Sequence, residues 1–275
     1  MFSLVSLYID TAILVQNFAQ FLTTPKRKSI MKDNPKSTQT QSTTQSITME
    51  VVQKVLSKND KKALQMRELY AQDGLYVINL MSSAGSGKTT FLETLAESST
   101  KSSDFRFAVI EGDLQTNRDA DRLKAKGINA YQILTGEACH LDATMIEEAY
   151  HHLKSSNALE GASYLFIENV GNLVCPASYN LGADINIVLL STPEGDDKVL
   201  KYPTMFLCAD ALIISKADLI EHFSFDLERV KSDLAKLKKG IPIFLTSKND
   251  IDSIQKMSDF IVECKMKGYH STHKF

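Results

Sequence analysis

Between residues 75 and 266, short apolar runs alternate with amphipathic stretches. LYVINLMSS, FRFAVIEG, NAYQILTG, YLFIENV, INIVLLST, ALIISKA and IPIFLTS are rich in β-branched and aromatic residues and predict strands. TTFLETLAES, DADRLKAKG, ATMIEEAYHHLKSS and the C-terminal SIQKMSDFIVECKMK carry apolar residues at helical spacing. Strands without polar alternation, separated by helices, predict an α/β fold: a mostly parallel twisted sheet with helices on both faces. Upstream, Val51, Val52, Val55, Leu56, Leu64, Met66 and Leu69 mark one or two amphipathic helices that end at Gly74. The chain contains no internal repeat.

The N-terminal part changes this pattern. Residues 31 to 48 are polar and rich in Ser, Thr and Gln, which predicts a linker or free tail. Residues 1 to 30 are interrupted by Asp10, Gln16, Asn17 and Gln20, and their basic cluster follows the apolar part instead of preceding it, so neither a membrane span nor a signal peptide is expected. Met31 is the expected start of translation. The expected organisation is therefore a disordered or misassigned extension over 1–48, and one domain with N-terminal helices over 49–275.

Composition narrows the function classes. With 31 basic and 33 acidic residues the net charge is -2, which gives no overall field to draw the chain to nucleic acid or anionic lipid. Cys139, Cys175, Cys208 and Cys264 lie too far apart for a small disulfide framework, so a reducing, cytoplasmic setting is expected.

After the first predicted strand comes Ser82-Ser83-Ala84-Gly85-Ser86-Gly87-Lys88-Thr89-Thr90. It meets the phosphate-loop pattern from Gly87 onward, with Ser82 in place of the first glycine. Gly85 and Gly87 can turn backbone N–H groups inward around phosphate oxygens at a helix start. Lys88 then reaches the β and γ phosphates, and the Thr89 hydroxyl is offered to Mg²⁺. The fold is accordingly expected to be a P-loop NTPase.

Two acids face this loop from strand ends: Asp113, after FRFAVIEG, and Glu168, in YLFIENV. In a parallel sheet the carboxyl ends of the strands converge on the ligand crevice, which makes both candidate Mg²⁺ or water-positioning groups. With Lys88 they are the candidate catalytic residues. Gly171 is placed as a γ-phosphate sensor. Arg118 and Arg122 are the available arginines.

Base choice is carried by Ser215-Lys216-Ala217-Asp218, a variant of N-K-x-D in which Ser215 replaces Asn. An Asp218 carboxylate accepts from guanine N1–H and N2–H₂, a donor pair that adenine lacks. Thr246-Ser247-Lys248 follows strand IPIFL in the order expected of a second guanine contact. The candidate nucleotide set is Gly85, Ser86, Gly87, Lys88, Thr89, Thr90, Lys216, Asp218, Ser247 and Lys248.

A second chemistry is suggested by Cys139-His140, since thiolate with imidazole suits Ni²⁺, Zn²⁺ or Cu and is wasted on Mg²⁺. Two donors do not complete a site; Cys175 in GNLVCP, or a second copy of the pair across a two-fold axis, can supply more. His151 and His152 are read as surface residues of a helix, and His270 and His273 as part of a frayed tail.

Together SSAGSGKTT, IEGDLQTNRDADR, TGEACHLDA, FIENVGNLVCPASYNLGA, PEGDDKVLKYP and ISKADL resemble the HypB family of hydrogenase maturation GTPases from about residue 50 onward. The resemblance implies a nickel-insertion GTPase that binds GTP or GDP with Mg²⁺ and forms a nucleotide-dependent homodimer. It implies Lys88 and Thr89 on phosphate and Mg²⁺, Asp113 and Glu168 in the Mg²⁺ and switch region, and Lys216 and Asp218 on guanine. Cys139, His140 and Cys175 match the family's Ni²⁺ motif at the dimer interface, which Zn²⁺ can also occupy. Implied partners are a HypA-type nickel metallochaperone, the large subunit of a [NiFe] hydrogenase and, in some relatives, urease maturation proteins. No Cys or His occurs in residues 1 to 50, so the family's N-terminal nickel-storage motifs are not expected. Two rival readings remain: a small-molecule kinase, and a passive metal binder with a structural nucleotide site.

Overall fold

Strand β1 (Tyr76–Ser82) is buried at every position because it lies at the centre of a seven-stranded sheet. The structure, a computed structural model, describes residues 38–99, 105–114 and 118–272. The other strands are β2 (Phe107–Asp113), β3 (Asn129–Leu134), β4 (Tyr164–Glu168), β5 (Ile185–Ser191), β6 (Ala211–Ser215) and β7 (Ile243–Leu245). Their order is β3-β2-β4-β1-β5-β6-β7, and every pairing is parallel.

Parallel neighbours require crossovers, and helices supply them. After α1 (Thr38–Gln72), α2 (Lys88–Ser99) follows β1 and α3 (Arg118–Ala125) follows β2. Next come α4 (Ala143–Ser155), the short α5 (Lys198–Lys201) and α6 (Pro203–Cys208), α7 (Leu227–Leu237) and the C-terminal α8 (Ile251–Met266). The chain leaves β1 first toward β2 and β3, then returns through β4 and continues on the other side through β5. That reversal opens a crevice at the carboxyl ends of β1 and its neighbours, where α/β sheets bind ligands.

Both faces are covered. Phe91, Leu92 and Leu95 of α2 and Ile254, Met257 and Ile261 of α8 pack on Leu80, Val109 and Ile187. On the opposite face Met66 and Tyr70 of α1 and Ile146 and Tyr150 of α4 cover Val77, Ile110 and Ile167. Met205 and Phe206 of α6 and Val230 and Leu234 of α7 enclose Val188, Leu190 and Ile214. Each such side chain contributes about 1.5–3 kcal/mol by leaving water.

Two expectations change. The boundary placed at Met49 is not an element boundary, because α1 is one continuous helix that starts at Thr38 inside the polar stretch. No proline or glycine interrupts residues 36 to 73, so nothing in the backbone stops the helix from extending. Contacts divide the chain at Lys58 and Asn59; within the first unit Val51 and Val55 are exposed. His270 is not part of a frayed end: its Nδ1 lies 2.7 Å from Asp184 Oδ1, and the Ser271 N–H donates to the Asp184 carbonyl. The Met31 start, the rest of the extension through residue 37, and His273 lie outside the described residues.

Candidate functional site

The loop after β1 takes its shape from two glycines, Gly85 (φ 74°) and Gly87 (φ 95°), both in the left-handed region that other residues avoid. Ser82, the residue that departs from the motif, is the buried last residue of β1, where φ is not positive and glycine is not required. Its hydroxyl accepts from Lys88 Nζ at 3.1 Å, which holds the buried lysine along the loop. Thr89 Oγ1 donates to Glu168 Oε1 at 2.9 Å, joining the first turn of α2 to the end of β4. Ser86 and Thr90 lie along the same loop and turn, and Thr90 Oγ1 accepts from Arg122 at 3.2 Å.

Glu168 is buried, which pushes its carboxyl up to about 7 against the pull of Lys88 and Thr89. Its Oε2 has no hydrogen-bond partner among the described residues. A hydroxyl and a carboxylate with one orphaned buried oxygen form a hard oxygen donor set, and this fits Mg²⁺. Asp113 ends β2 with Oδ1 accepting the Leu114 N–H at 2.7 Å. Glu111, two positions earlier on the same strand, escaped the sequence reading. It is only 2% exposed, and burial together with Glu168 and Asp113 pushes it up to about 9. The alternation of faces along β2 could have flagged it, because Glu111 shares a face with the apolar Phe107 and Val109.

On the other side of the loop, Ser215 Oγ donates to the Ser86 carbonyl at 2.7 Å and Lys216 Nζ to the Gly85 carbonyl at 2.9 Å. Ser215, where the motif has Asn, thus fastens the strand end to the phosphate loop. Lys216 adopts φ 55°, a conformation costing a non-glycine residue about 1–2 kcal/mol. The Ala217 N–H donates to the Thr246 carbonyl at 3.0 Å, joining the two base-reading segments. Asp218, Ser247 and Lys248 line, with Gly87 and Thr90, a cleft of about 340 Å³.

In a second cluster, Cys139, His140 and Cys175 bring their donor atoms within 4.8 Å of one another. The two sulfurs are 2.7 Å apart, and Cys139 Sγ is 4.0 Å from His140 Nδ1. Three donors therefore converge within one chain, and Cys175 supplies the third. Asp142 accepts from the N–H groups of Thr144 and Met145 and so caps α4, fixing the loop before it. Asn172 Oδ1 accepts the Val174 N–H at 2.7 Å and turns the chain into Cys175. The His140 ring stacks on Tyr179 with centroids 3.8 Å apart. Burial lowers the His140 pKa, which keeps the imidazole neutral with a lone pair available. Burial and the neighbouring Cys139 push the Cys175 thiol up to about 12. Two sulfurs and an imidazole suit borderline ions such as Ni²⁺ and Zn²⁺.

Buried amides connect the parts. Asn79 donates to Asn186 at 2.9 Å and accepts from Asn169 at 3.3 Å, while Asn169 Oδ1 accepts from Leu141 and Val170. The loop bearing His140 is thereby tied to β1 next to the phosphate loop. Arg122 is not available as a free cation, because it is paired with Glu93 and Asp119. Arg118 is exposed at the start of α3, and His151 and His152 are exposed on α4.

Residues 76–245 match the family described as CobW/HypB/UreG, nucleotide-binding domain. The chain is 58% identical over 250 residues to the hydrogenase/urease maturation factor HypB of Helicobacter pylori J99, spanning 91% of this chain and 99% of that one. A crystal structure of HypB from Helicobacter pylori in complex with nickel is similar with a TM-score of 0.77 at 62% identity, covering 79% of this chain and 100% of that chain. Hydrogenase maturation factor HypB from Archaeoglobus fulgidus gives 0.67 at 34% identity, covering 76% and 98%.

Proposed function

Because the chain belongs to the HypB branch of the CobW/HypB/UreG nucleotide-binding family, we propose that it is a GTP-hydrolysing nickel metallochaperone serving the large subunit of a [NiFe] hydrogenase and, with urease maturation proteins, urease. The observation that carries this reading is one short segment. Glu168 accepts from Thr89 at the phosphate loop, Gly171 packs on Ala84 of that loop, and Cys175 ends the segment among three soft-metal donors.

In this reading Gly85, Ser86, Gly87, Lys88 and Thr90 hold the phosphates, and Lys216, Asp218, Ser247 and Lys248 hold guanine. Thr89, Asp113 and Glu168 hold Mg²⁺, which when bound offsets the charge of the phosphate oxygens. Lys88 keeps its ammonium at the β and γ phosphates as charge develops there. Cys139, His140 and Cys175 bind the nickel cargo, and Zn²⁺ competes for the same donors. Loss of the γ phosphate relaxes the segment through Gly171 and moves Cys175 relative to Cys139 and His140, so hydrolysis changes nickel affinity. GTP favours a homodimer, and a HypA-type metallochaperone exchanges nickel with it in the cytoplasm. Among the described residues no helix is long and apolar enough to cross a membrane.

The test measures Ni²⁺ binding and oligomeric state of the wild type and Cys139→Ala with GDP, a nonhydrolysable GTP analogue and the matching ATP analogue. Nickel binding and dimerisation that respond to guanine nucleotide, with nickel lost in the variant, are expected. An equal response to the ATP analogue would favour a small-molecule kinase. Nickel binding indifferent to nucleotide would leave a passive carrier.

A further inference from the structure

Glu111 on β2 is the register partner of Glu168 on β4 and of Gln132 on β3. Register partners in a parallel sheet project from the same face, so Gln132, Glu111 and Glu168 form one polar row across three strands. Five buried side-chain polar atoms lack a hydrogen-bond partner among the described residues: Glu111 Oε2, Gln132 Nε2, Gln132 Oε1, Glu168 Oε2 and Glu194 Oε2. Four of the five belong to this row.

An orphaned buried polar atom costs about 1–3 kcal/mol, so a purely structural role at Glu111 would be met more stably by leucine or valine. The row begins at Glu168, whose other oxygen accepts from Thr89 at the phosphate loop. Asp113 lies farther along the same strand, and Asp119 and Lys88 also act on Glu111 electrostatically. A hard divalent ion held at Thr89 and Glu168 keeps several waters, and their hydrogens need acceptors on the side away from the phosphates. Next to Glu168 in the row stand the Glu111 carboxyl and, beyond it, the Gln132 amide.

We propose that Glu111, backed by Gln132, is a positioning residue that holds the water shell of the nucleotide-bound divalent cation. This rests on the nucleotide reading given above. Glu111 acts through water, not as a ligand, and the row continues the metal site outward to the sheet edge at β3.

The experiment titrates Mg²⁺ into the full-length chain with a fluorescent GDP analogue, for wild type, Glu111→Leu, Glu111→Gln and Gln132→Leu. Affinity for the analogue without Mg²⁺ stays at the wild-type value in every variant. The Mg²⁺ concentration giving half-saturation rises about 10–100-fold in Glu111→Leu, the cost typical of losing an outer-shell partner. It rises less in Glu111→Gln, which keeps an oxygen acceptor, and in Gln132→Leu. A merely structural role would shift the unfolding midpoint and leave the Mg²⁺ requirement unchanged. A wild-type Mg²⁺ requirement in Glu111→Leu overturns the proposal, and if that variant does not fold, a wild-type requirement in both other variants does so. A wild-type chain that binds no guanine nucleotide overturns the nucleotide reading and this inference with it.

Discussion

Gly171 packs so closely on the phosphate loop that a Cβ at position 171 would come within 2.6 Å of the Ala84 Cα. The obstacle is backbone, so a side chain cannot step aside; either the loop or the segment leading to Cys175 must move. Gly171→Ala is predicted to weaken guanine-nucleotide binding about 5- to 150-fold, the equivalent of the 1–3 kcal/mol typical of overpacking. A fluorescent GDP titration with circular dichroism as the folding control checks it. Wild-type affinity in a folded variant would mean that the contact does not transmit position.

The nickel donors should fail in a graded order. Cys139→Ala and Cys175→Ala each remove a donor atom from the 4.8 Å cluster and are expected to abolish binding at micromolar Ni²⁺. Tyr179→Leu removes only the ring stacked on His140 and is expected to weaken binding about tenfold, at the low end of outer-shell effects. Isothermal titration of the three variants decides it. Wild-type nickel affinity in Tyr179→Leu would mean that His140 is not oriented by the stack.

The residues legible in the sequence were those whose chemistry is local. Gly85 and Gly87 announce a tight turn by their type, Lys88 and Thr89 follow at fixed offsets, and Cys139 and His140 are adjacent. Cys175, 36 residues from Cys139, is named by the sequence as one of two sources of a third donor, and the strand order that places β4 between β2 and β1 brings it near. For the same reason Asn79, Asn169 and Asn186 could not be read as a network, since which amides meet depends on which strands are neighbours. Glu111 gains its significance only from its register with Glu168 and Gln132. The start of α1 at Thr38 was hidden because Ser, Thr and Gln are poor predictors of order, though none of them breaks a helix.

Base selection should reside in Asp218. It is exposed and lines the cleft, where the proposed function has it accept from a guanine edge. Asp218→Ala removes hydrogen bonds to a charged group worth about 1.5–3 kcal/mol each, so GDP affinity should fall at least about tenfold. ADP affinity should not change. Competition of GDP and ADP against a labelled nucleotide measures both, and a parallel loss for the two would show that the residue does not read the base.

The thiols outside the nickel cluster should be inert in the folded chain, and the sign follows from burial. Cys208 has no exposed surface, and desolvation reinforced by the nearby Asp210 carboxylate pushes its thiol up to about 12. At pH 8 its thiolate fraction is then on the order of 10⁻⁴, against about a tenth for a thiol at the ordinary value near 9. Because the folded value is the raised one, the associated stability is fully present below about pH 9 and is lost as pH rises toward 12. Cys264, pushed up to about 11 by burial and Glu263, should behave likewise over a narrower window. Iodoacetamide pulses at pH 8 with peptide mass spectrometry are expected to label the half-buried Cys139 first, and Cys208 and Cys264 only when urea unfolds the chain. Nickel added beforehand should protect Cys139 and leave the labelling of Cys208 unchanged. Native-state labelling of Cys208 as fast as that of Cys139 would mean that the α6 core opens readily, contrary to its packing against β5 and β6.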